Sequence, residues 1–182
     1  MPRLFFALQP PSGLAAELLE RAAPLITTLG SRPVPVGNLH ATLVFIGNVT
    51  DEQVSTLRDA AAQVHSSAGE VSFDALDAWE KPRILCAIAS IGSPEAQALA
   101  GSLQEVSIAA GFTPDIKPFR AHLTLARKID LTEAKKFSWP QDFSPGFVVR
   151  FEKFALMESR RGEHGSIYSV VDSWPLYDPK RR

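Results

Sequence analysis

The chain has 182 residues, enough for one domain or for two small lobes sharing a core. It is 45% hydrophobic and 21% charged with a net charge of −1, which excludes a broad basic footprint on a nucleic-acid backbone and leaves only a local positive site for such contact. Its one cysteine, Cys86, can form no internal disulfide and no multi-cysteine zinc site, and the short apolar patch before Gln9-Pro10-Pro11 suits neither a secretory signal nor a membrane span, so a soluble, cytoplasmic protein is expected.

RLFFAL (3–8) is a short, Phe-rich apolar run and reads as a buried strand ended by Pro10-Pro11. Ser12 opens a helical pattern, with Leu14, Leu18 and Leu19 at helix spacing and Gly30 as the stop. Pro24 inside that pattern predicts a kink or a break. The prolines of SRPVPVG (31–37) hold the chain extended and lead into a strand over 38–46. Thr50 and Gln53 form a capping box for a helix over 51–67. Strands are predicted at 71–80 and 83–90, with EKPR as the turn between them. Ser93-Pro94 starts a helix that stops at Gly111. A strand over 120–127, a helical turn at 132–137, one long alternating strand at 146–160 and a returning strand at 166–176 complete the chain. The order is β-α-β-α-β-β-α-β-β-β. Helices are few and strands often follow each other through turns, which argues for α+β with mainly antiparallel sheets and against a doubly wound fold. Neither the Gly-x-Gly-x-x-Gly nor the P-loop pattern occurs, so dinucleotide and P-loop readings have no support.

NLHATLVFI (38–46) places His40 and Thr42 two residues apart, and FRAHLTLAR (119–127) does the same with His122 and Thr124. Both copies read His-x-Thr-Leu, and the histidines stand 82 residues apart (122 minus 40). In a strand, residues i and i+2 share a face, so His and Thr point one way while Ala41 and Leu43, or Leu123 and Leu125, point into a core. Burying such polar groups without partners is costly, so the His-Thr faces imply a wet cleft with one strand from each half. Two imidazoles and two hydroxyls suit phosphoryl chemistry. One imidazole can deprotonate an attacking water while the other protonates a leaving oxygen, because histidine ordinarily titrates near neutrality. Threonine hydroxyls can donate to phosphoryl oxygens, and an arginine can hold them in a fork. Alternation puts Arg120 on the His122 face and Arg127 on the other. Arg127 reaches the cleft only if the strand ends or bulges after Leu125. Phe45 occupies the matching place in the first motif, so one half would supply charge and the other an apolar or stacking surface.

One His-x-Thr in a strand would be ordinary structure, since threonine favours strands. Two copies half a chain apart, both followed by Leu, favour a site. Cys86 reads as a small core residue. His65 falls at a helix end, where its charge would suit the dipole. His164, in a Gly-flanked turn, and the PKRR segment at 179–182 read as surface. No Asp, Glu, His or Cys cluster with ligand spacing accompanies the motifs, so no metal is expected.

The paired His-x-Thr-Leu with these flanks resembles the signature of the two-histidine phosphoesterases. Within that superfamily the chain is similar to the RNA 2′,3′-cyclic phosphodiesterases, also called 2′-5′ RNA ligases. RLFFALQPP resembles the family's first strand, VPVGNLHATLVFIGNV and FRAHLTLARK its two motif regions, and ALMESRRGEHGSIYSVVDSWPL its closing hairpin. The resemblance spans nearly the whole chain. It implies a single bilobal α+β domain over 1–182. Two antiparallel sheets would be related by a pseudo-two-fold axis, with helices on their outer faces and the active-site groove between lobes. It implies His40 and His122 as the catalytic pair, with Thr42, Thr124 and Arg127 on the phosphate and no metal or other cofactor. Phe45 and Arg120 are further substrate-binding candidates. The resemblance favours His122 as base and His40 as acid, although the nearly symmetric motifs do not themselves assign those roles.

The implied reaction is metal-independent opening of a 2′,3′-cyclic phosphate at an RNA 3′ end to a 2′-phosphate. The same opening with an RNA 5′-hydroxyl in place of water would reversibly join RNA ends through a 2′-5′ linkage. The partner would be such an RNA end or a related small cyclic nucleotide, with no membrane contact, and a monomer is expected. Two rival readings are the same chemistry on a small nucleotide and a non-catalytic RNA-end binding module. Two positions depart from the family pattern. Val44, where relatives are often basic, is expected to weaken contact with an RNA backbone. Ala121, where relatives often carry proline, touches only local strand geometry.

Overall fold

In the computed structural model, which describes residues 1–162 and 165–177, the Phe-rich run is strand β1 (Arg3–Leu8), buried from Leu4 onward. Helix α1 (Ser12–Thr28) buries Ala15, Leu18, Ala22 and Ile26, a spacing that lays one apolar stripe along the core. It runs through Pro24 without the expected break. The proline removes one backbone donor, and the buried Ala22 and Ile26 on either side hold the helix across it. Gly30, at φ 54, supplies the left-handed residue that ends it. A two-residue strand β2 (Arg32–Pro33) and a 3₁₀ turn at Val36–Asn38 then deliver the chain to β3 (Ala41–Asn48).

Helix α2 (Asp51–Ala61) begins with the expected capping box, Thr50 and Gln53 satisfying each other's backbone N–H groups. It stops short of residue 67. The Tyr177 backbone takes the next segment instead, accepting from Ala68 N–H at 2.7 Å and donating to the Ser66 carbonyl at 2.9 Å. His65 is therefore exposed beyond the helix, and the dipole argument for it does not apply. Strands β4 (Gly69–Trp79) and β5 (Ile84–Ile88), helix α3 (Pro94–Ala109), strand β6 (His122–Arg127) and the short helix α4 (Leu131–Ala134) follow as expected in kind. The last three strands are β7 (Gln141–Phe151), β8 (Lys153–Gly162) and β9 (Gly165–Pro175). His164 and the PKRR segment lie outside the described residues.

The strands form two antiparallel sheets, β3-β1-β8-β9 and β2-β6-β5-β4-β7, so the fold is α+β as the element order indicated. The one long strand expected over 146–160 is two strands in different sheets. β7 pairs with β4, the chain turns at Glu152, and β8 pairs with β1. Alternation persists across the turn because each part has one face to bury, and a period of two says which face is buried, not which neighbour is paired.

One large apolar cluster, including Leu4, Phe6 and Leu8 from the first sheet, Leu123 and Leu125 from the second and the inner helix faces, runs through both lobes. Two small clusters lie on the opposite sheet faces: Phe5, Ala7, Ala155 and Met157 in one lobe, Ala75, Ile84, Cys86 and Ile88 in the other. These floor the cleft that carries the site. Among the described residues no helix is long and apolar enough to cross a membrane.

Candidate active site

Each motif strand contains a bulge at the same place. In the pairing of β3 with β1, Thr42 faces Ala7 and Val44 faces Phe6, so Leu43 is the extra residue. In the pairing of β6 with β5, Thr124 faces Cys86 and Ala126 faces Leu85, so Leu125 is the extra residue. An extra residue shifts the alternation by one. His122, Thr124 and Arg127 consequently pair with Ile88, Cys86 and Ile84, all three on the cleft floor. Phe45 pairs with Phe5 and joins the floor of the other lobe. A spacing of five residues, odd and therefore wrong for a regular strand, becomes right. Strand β6 continues through Arg127 and ends only at Lys128, whose φ is 61.

The two histidines are held in the same way. His40 Nδ1 lies 2.7 Å from the Asn38 carbonyl, and His122 Nδ1 lies 2.8 Å from the Arg120 carbonyl, each two residues upstream. A carbonyl only accepts, so Nδ1 carries the hydrogen in both rings and Nε2 is left for chemistry. Both rings are half-buried. His40 sits against Phe5 and Tyr168, with ring centroids 4.8 Å away in each case. His122 sits against Trp79, at 4.7 Å. The Trp79 indole N–H is itself fixed by Asp77 Oδ2 at 2.8 Å.

Burial, more than any other influence, lowers the pKa of His40 to about 4; the Asn38 carbonyl opposes this, and the nearby positive charges of His122 and Arg127 add to it. His122 is lowered from its ordinary value for the same first reason, with the Arg120 carbonyl opposing and the Arg120 charge adding. The Arg127 guanidinium reaches across to the other lobe, its Nη2 donating to the Tyr168 hydroxyl at 3.3 Å. Arg127, Tyr168 and His40 thus form a connected line over the cleft. Cys86 lies on the cleft floor and bonds Thr124 through its sulfur, yet burial pushes its thiol up to about 12, so it is not a nucleophile.

The structure brings His40, Thr42, Phe45, His122, Thr124 and Arg127 to the facing surfaces of the two sheets. Arg120 lies just before β6, exposed, and borders a pocket with Trp79 and His122. Val44 is 4% exposed and packs in the main core. Its side chain therefore lies away from the cleft. Ala121 is buried, and its carbonyl accepts from Ala89 N–H, a contact of local strand geometry. Sequence reasoning missed Tyr168 and Trp79. Each stands in a strand that carries no histidine, and only the tertiary fold places it beside one. Among the described residues no group of three or more His, Cys, Asp or Glu could hold a metal ion.

The LigT-like phosphoesterase family model matches the chain twice, over residues 8–86 and 90–168. The two matches begin 82 residues apart (90 minus 8), the same offset as the two histidines, so each half carries one copy of the family unit. The RNA 2′,3′-cyclic phosphodiesterase of Escherichia coli (strain K12) is 26% identical over 174 residues, covering 96% of both chains. That of Thermus thermophilus is 30% identical over an alignment of 186 positions, covering 96% of this chain and 90% of the relative. The crystal structure of E. coli LigT complexed with 3′-AMP superposes with a TM-score of 0.83 at 24% identity, covering 97% of this chain and 99% of that one.

Proposed function

The chain belongs to the LigT-like phosphoesterase family, and from that premise we propose that it hydrolyses the 2′,3′-cyclic phosphate at an RNA 3′ end to a 2′-phosphate, as the names of its E. coli and T. thermophilus relatives suggest. The observation that carries this reading is the matched pair of histidines, each with Nδ1 tied to a backbone carbonyl and Nε2 free on the cleft side of its lobe. One neutral Nε2 takes a proton from water as its oxygen bonds to phosphorus. The P–O3′ bond breaks in line, and the other histidine, protonated, gives its Nε2 proton to the departing O3′. Thr42 and Thr124 donate to the phosphoryl oxygens, and Arg127 neutralises the charge that gathers on them. With an RNA 5′-hydroxyl attacking phosphorus in place of water, and O3′ leaving in the same way, the same site forms a 2′-5′ linkage, a reversible transesterification with which hydrolysis by bulk water competes.

In the empty cleft burial above all lowers both histidines, His40 to about 4, and a bound phosphate anion, which favours the imidazolium, helps whichever ring is the acid to hold its proton. The resemblance implies His40 as that acid. The test is incubation of an oligonucleotide bearing a 2′,3′-cyclic phosphate, with EDTA present, and identification of the product isomer. A 2′-phosphate formed at undiminished rate is expected. A 3′-phosphate, no turnover, or a loss restored by one divalent ion would overturn the proposal.

A further inference from the structure

Beside the proposed catalytic groups lies a second cavity of about 220 Å³, bordered on one lobe by Arg32, Arg127 and Lys128 and on the other by Asn38, Ser166 and Tyr168. The chain builds it from three local devices. The two-residue strand β2 pairs with the end of β6 so that Arg32 stands opposite Arg127, which puts both side chains on the cleft face. The Val34 N–H donates to the carbonyl of Leu125, the bulge residue, at 2.9 Å and pins that register. Lys128 follows in the left-handed region, φ 61, where the strand ends and the chain turns. Across the gap, Asn38 Nδ2 donates to the Ser166 carbonyl at 3.0 Å and ties the 3₁₀ turn before His40 to β9.

Three cations therefore ring one small cavity in a chain whose net charge is −1. The ion pairs among the described residues, such as Arg58 with Asp172, Arg150 with Glu70 and Arg160 with Glu158, lie elsewhere. Arg32, Arg127 and Lys128 have no carboxylate partner among those residues. Like charges held together without a counter-charge repel each other, and an anion relieves that repulsion while meeting two guanidinium forks and an ammonium. The neutral lining residues fit the same occupant: Tyr168 and Asn38 also border the cavity, and each keeps a side-chain hydrogen to donate.

Arg127 and Tyr168 also belong to the cleft around His40, so an anion here lies next to the reacting phosphate. In a strand that ends in a cyclic phosphate, the only neighbouring phosphate is the one joining the terminal nucleotide to its predecessor. We propose that this cavity holds that internucleotide phosphate, so that Arg32 and Lys128 favour a strand over a free mononucleotide. The inference rests on the phosphodiesterase reading and narrows its substrate class.

The test compares adenosine 2′,3′-cyclic phosphate with its 5′-(methyl phosphate) ester, which adds the neighbouring phosphodiester and nothing else. The wild type should favour the ester by about tenfold or more in kcat/KM, the scale of a charge-assisted hydrogen bond. Arg32→Ala and Lys128→Ala should each remove most of that ratio, and Arg32→Lys should keep part of it. Added salt should erode the wild-type ratio more steeply than that of Arg32→Ala. Both residues are exposed, so folding is not at stake. A wild-type ratio near one, or a ratio unchanged in both alanine variants, overturns the proposal. Calorimetry with the two ring-opened 2′-phosphates reads the same preference without turnover. A preserved binding preference with neither cyclic substrate hydrolysed would sink the phosphodiesterase reading while supporting the cavity.

Discussion

The lobe of β3 presents His40, Thr42 and Phe45, and the lobe of β6 presents His122, Thr124 and Arg127, each through a bulge directly after the threonine. The backbone device is the same, and so is the carbonyl that fixes each imidazole. The lobes part at the fifth position and in what surrounds each ring. His40 is enclosed by Phe5 and Tyr168, while His122 meets Trp79 and lies beside Arg120. Phe45 stacks parallel to Phe5 and carries the Arg3 guanidinium over its ring at 4.7 Å. A symmetric frame thus holds two equivalent imidazoles and unlike groups at the fifth position, Phe45 in one lobe and Arg127 in the other.

Removing what the lobes share should cost most. His40→Ala and His122→Ala should each lower kcat/KM by about 10²–10⁴-fold with the fold intact by circular dichroism. A correctly folded variant that keeps near wild-type turnover would deny the acid/base pair.

Removing what distinguishes the lobes should then cost unequally. Arg127→Ala should cost about 2–4 kcal/mol of transition-state stabilisation, the scale of a lost oxyanion donor. Arg127→Lys should recover part of it, since the charge stays and the fork is lost. Phe45→Ala should cost about 0.5–1.5 kcal/mol, a stacking contribution, and Arg120→Ala less than Arg127→Ala. Equal kcat/KM losses at Phe45 and Arg127 would show that the lobes do not divide the work.

The pH profile sharpens the same contrast. Both histidines titrate below their ordinary value of about 6.5, His40 at about 4. One must be protonated and the other neutral, so the competent form of the free enzyme peaks in the acid range between the pair's two titrations. As pH rises past that window, kcat/KM should fall tenfold per unit. The kcat profile should lie at higher pH, because a bound phosphate anion favours the imidazolium. In Arg127→Ala the lost positive charge should let His40 hold its proton to higher pH and shift the acid limb upward. A kcat/KM flat from pH 5 to 8 would contradict these environments.

An effect as small as that of Phe45→Ala is expected at Tyr168→Phe. It keeps the ring edge on His40 and loses only the hydroxyl bonded to Arg127, about 0.5–1.5 kcal/mol in kcat/KM. Tyr168→Ala should cost more, since the wall of His40 goes too. Equal effects would mean that the ring does nothing for His40.

The histidines and threonines were legible in the sequence because the motif repeats, and a repeat separates a site from chance. The cleft position of Arg127 was legible only as a condition. Alternation opposed it, and the bulge that reverses alternation arises from how β5 and β6 pair, which no local pattern encodes. The sheet change at Glu152 was hidden for a related reason: β7 and β8 each alternate, and the partner decides the sheet. Tyr168 looked like any strand aromatic until the β8–β9 pairing set it beside His40. Val44 stood out only as a departure from the family pattern; the bulge at Leu43, which turns it into the core beside Phe6, was not legible without the β1–β3 pairing.

The central claim is that His40 and His122 work as one unit across the cleft. Its most direct test is kcat/KM for His40→Ala, His122→Ala and the double variant on one cyclic-phosphate oligonucleotide. If one proton-transfer event needs both groups, the double variant should be about as slow as the slower single variant, because losses within a unit do not add. Losses that multiply in full, as for independent sites, would contradict the two-lobe account.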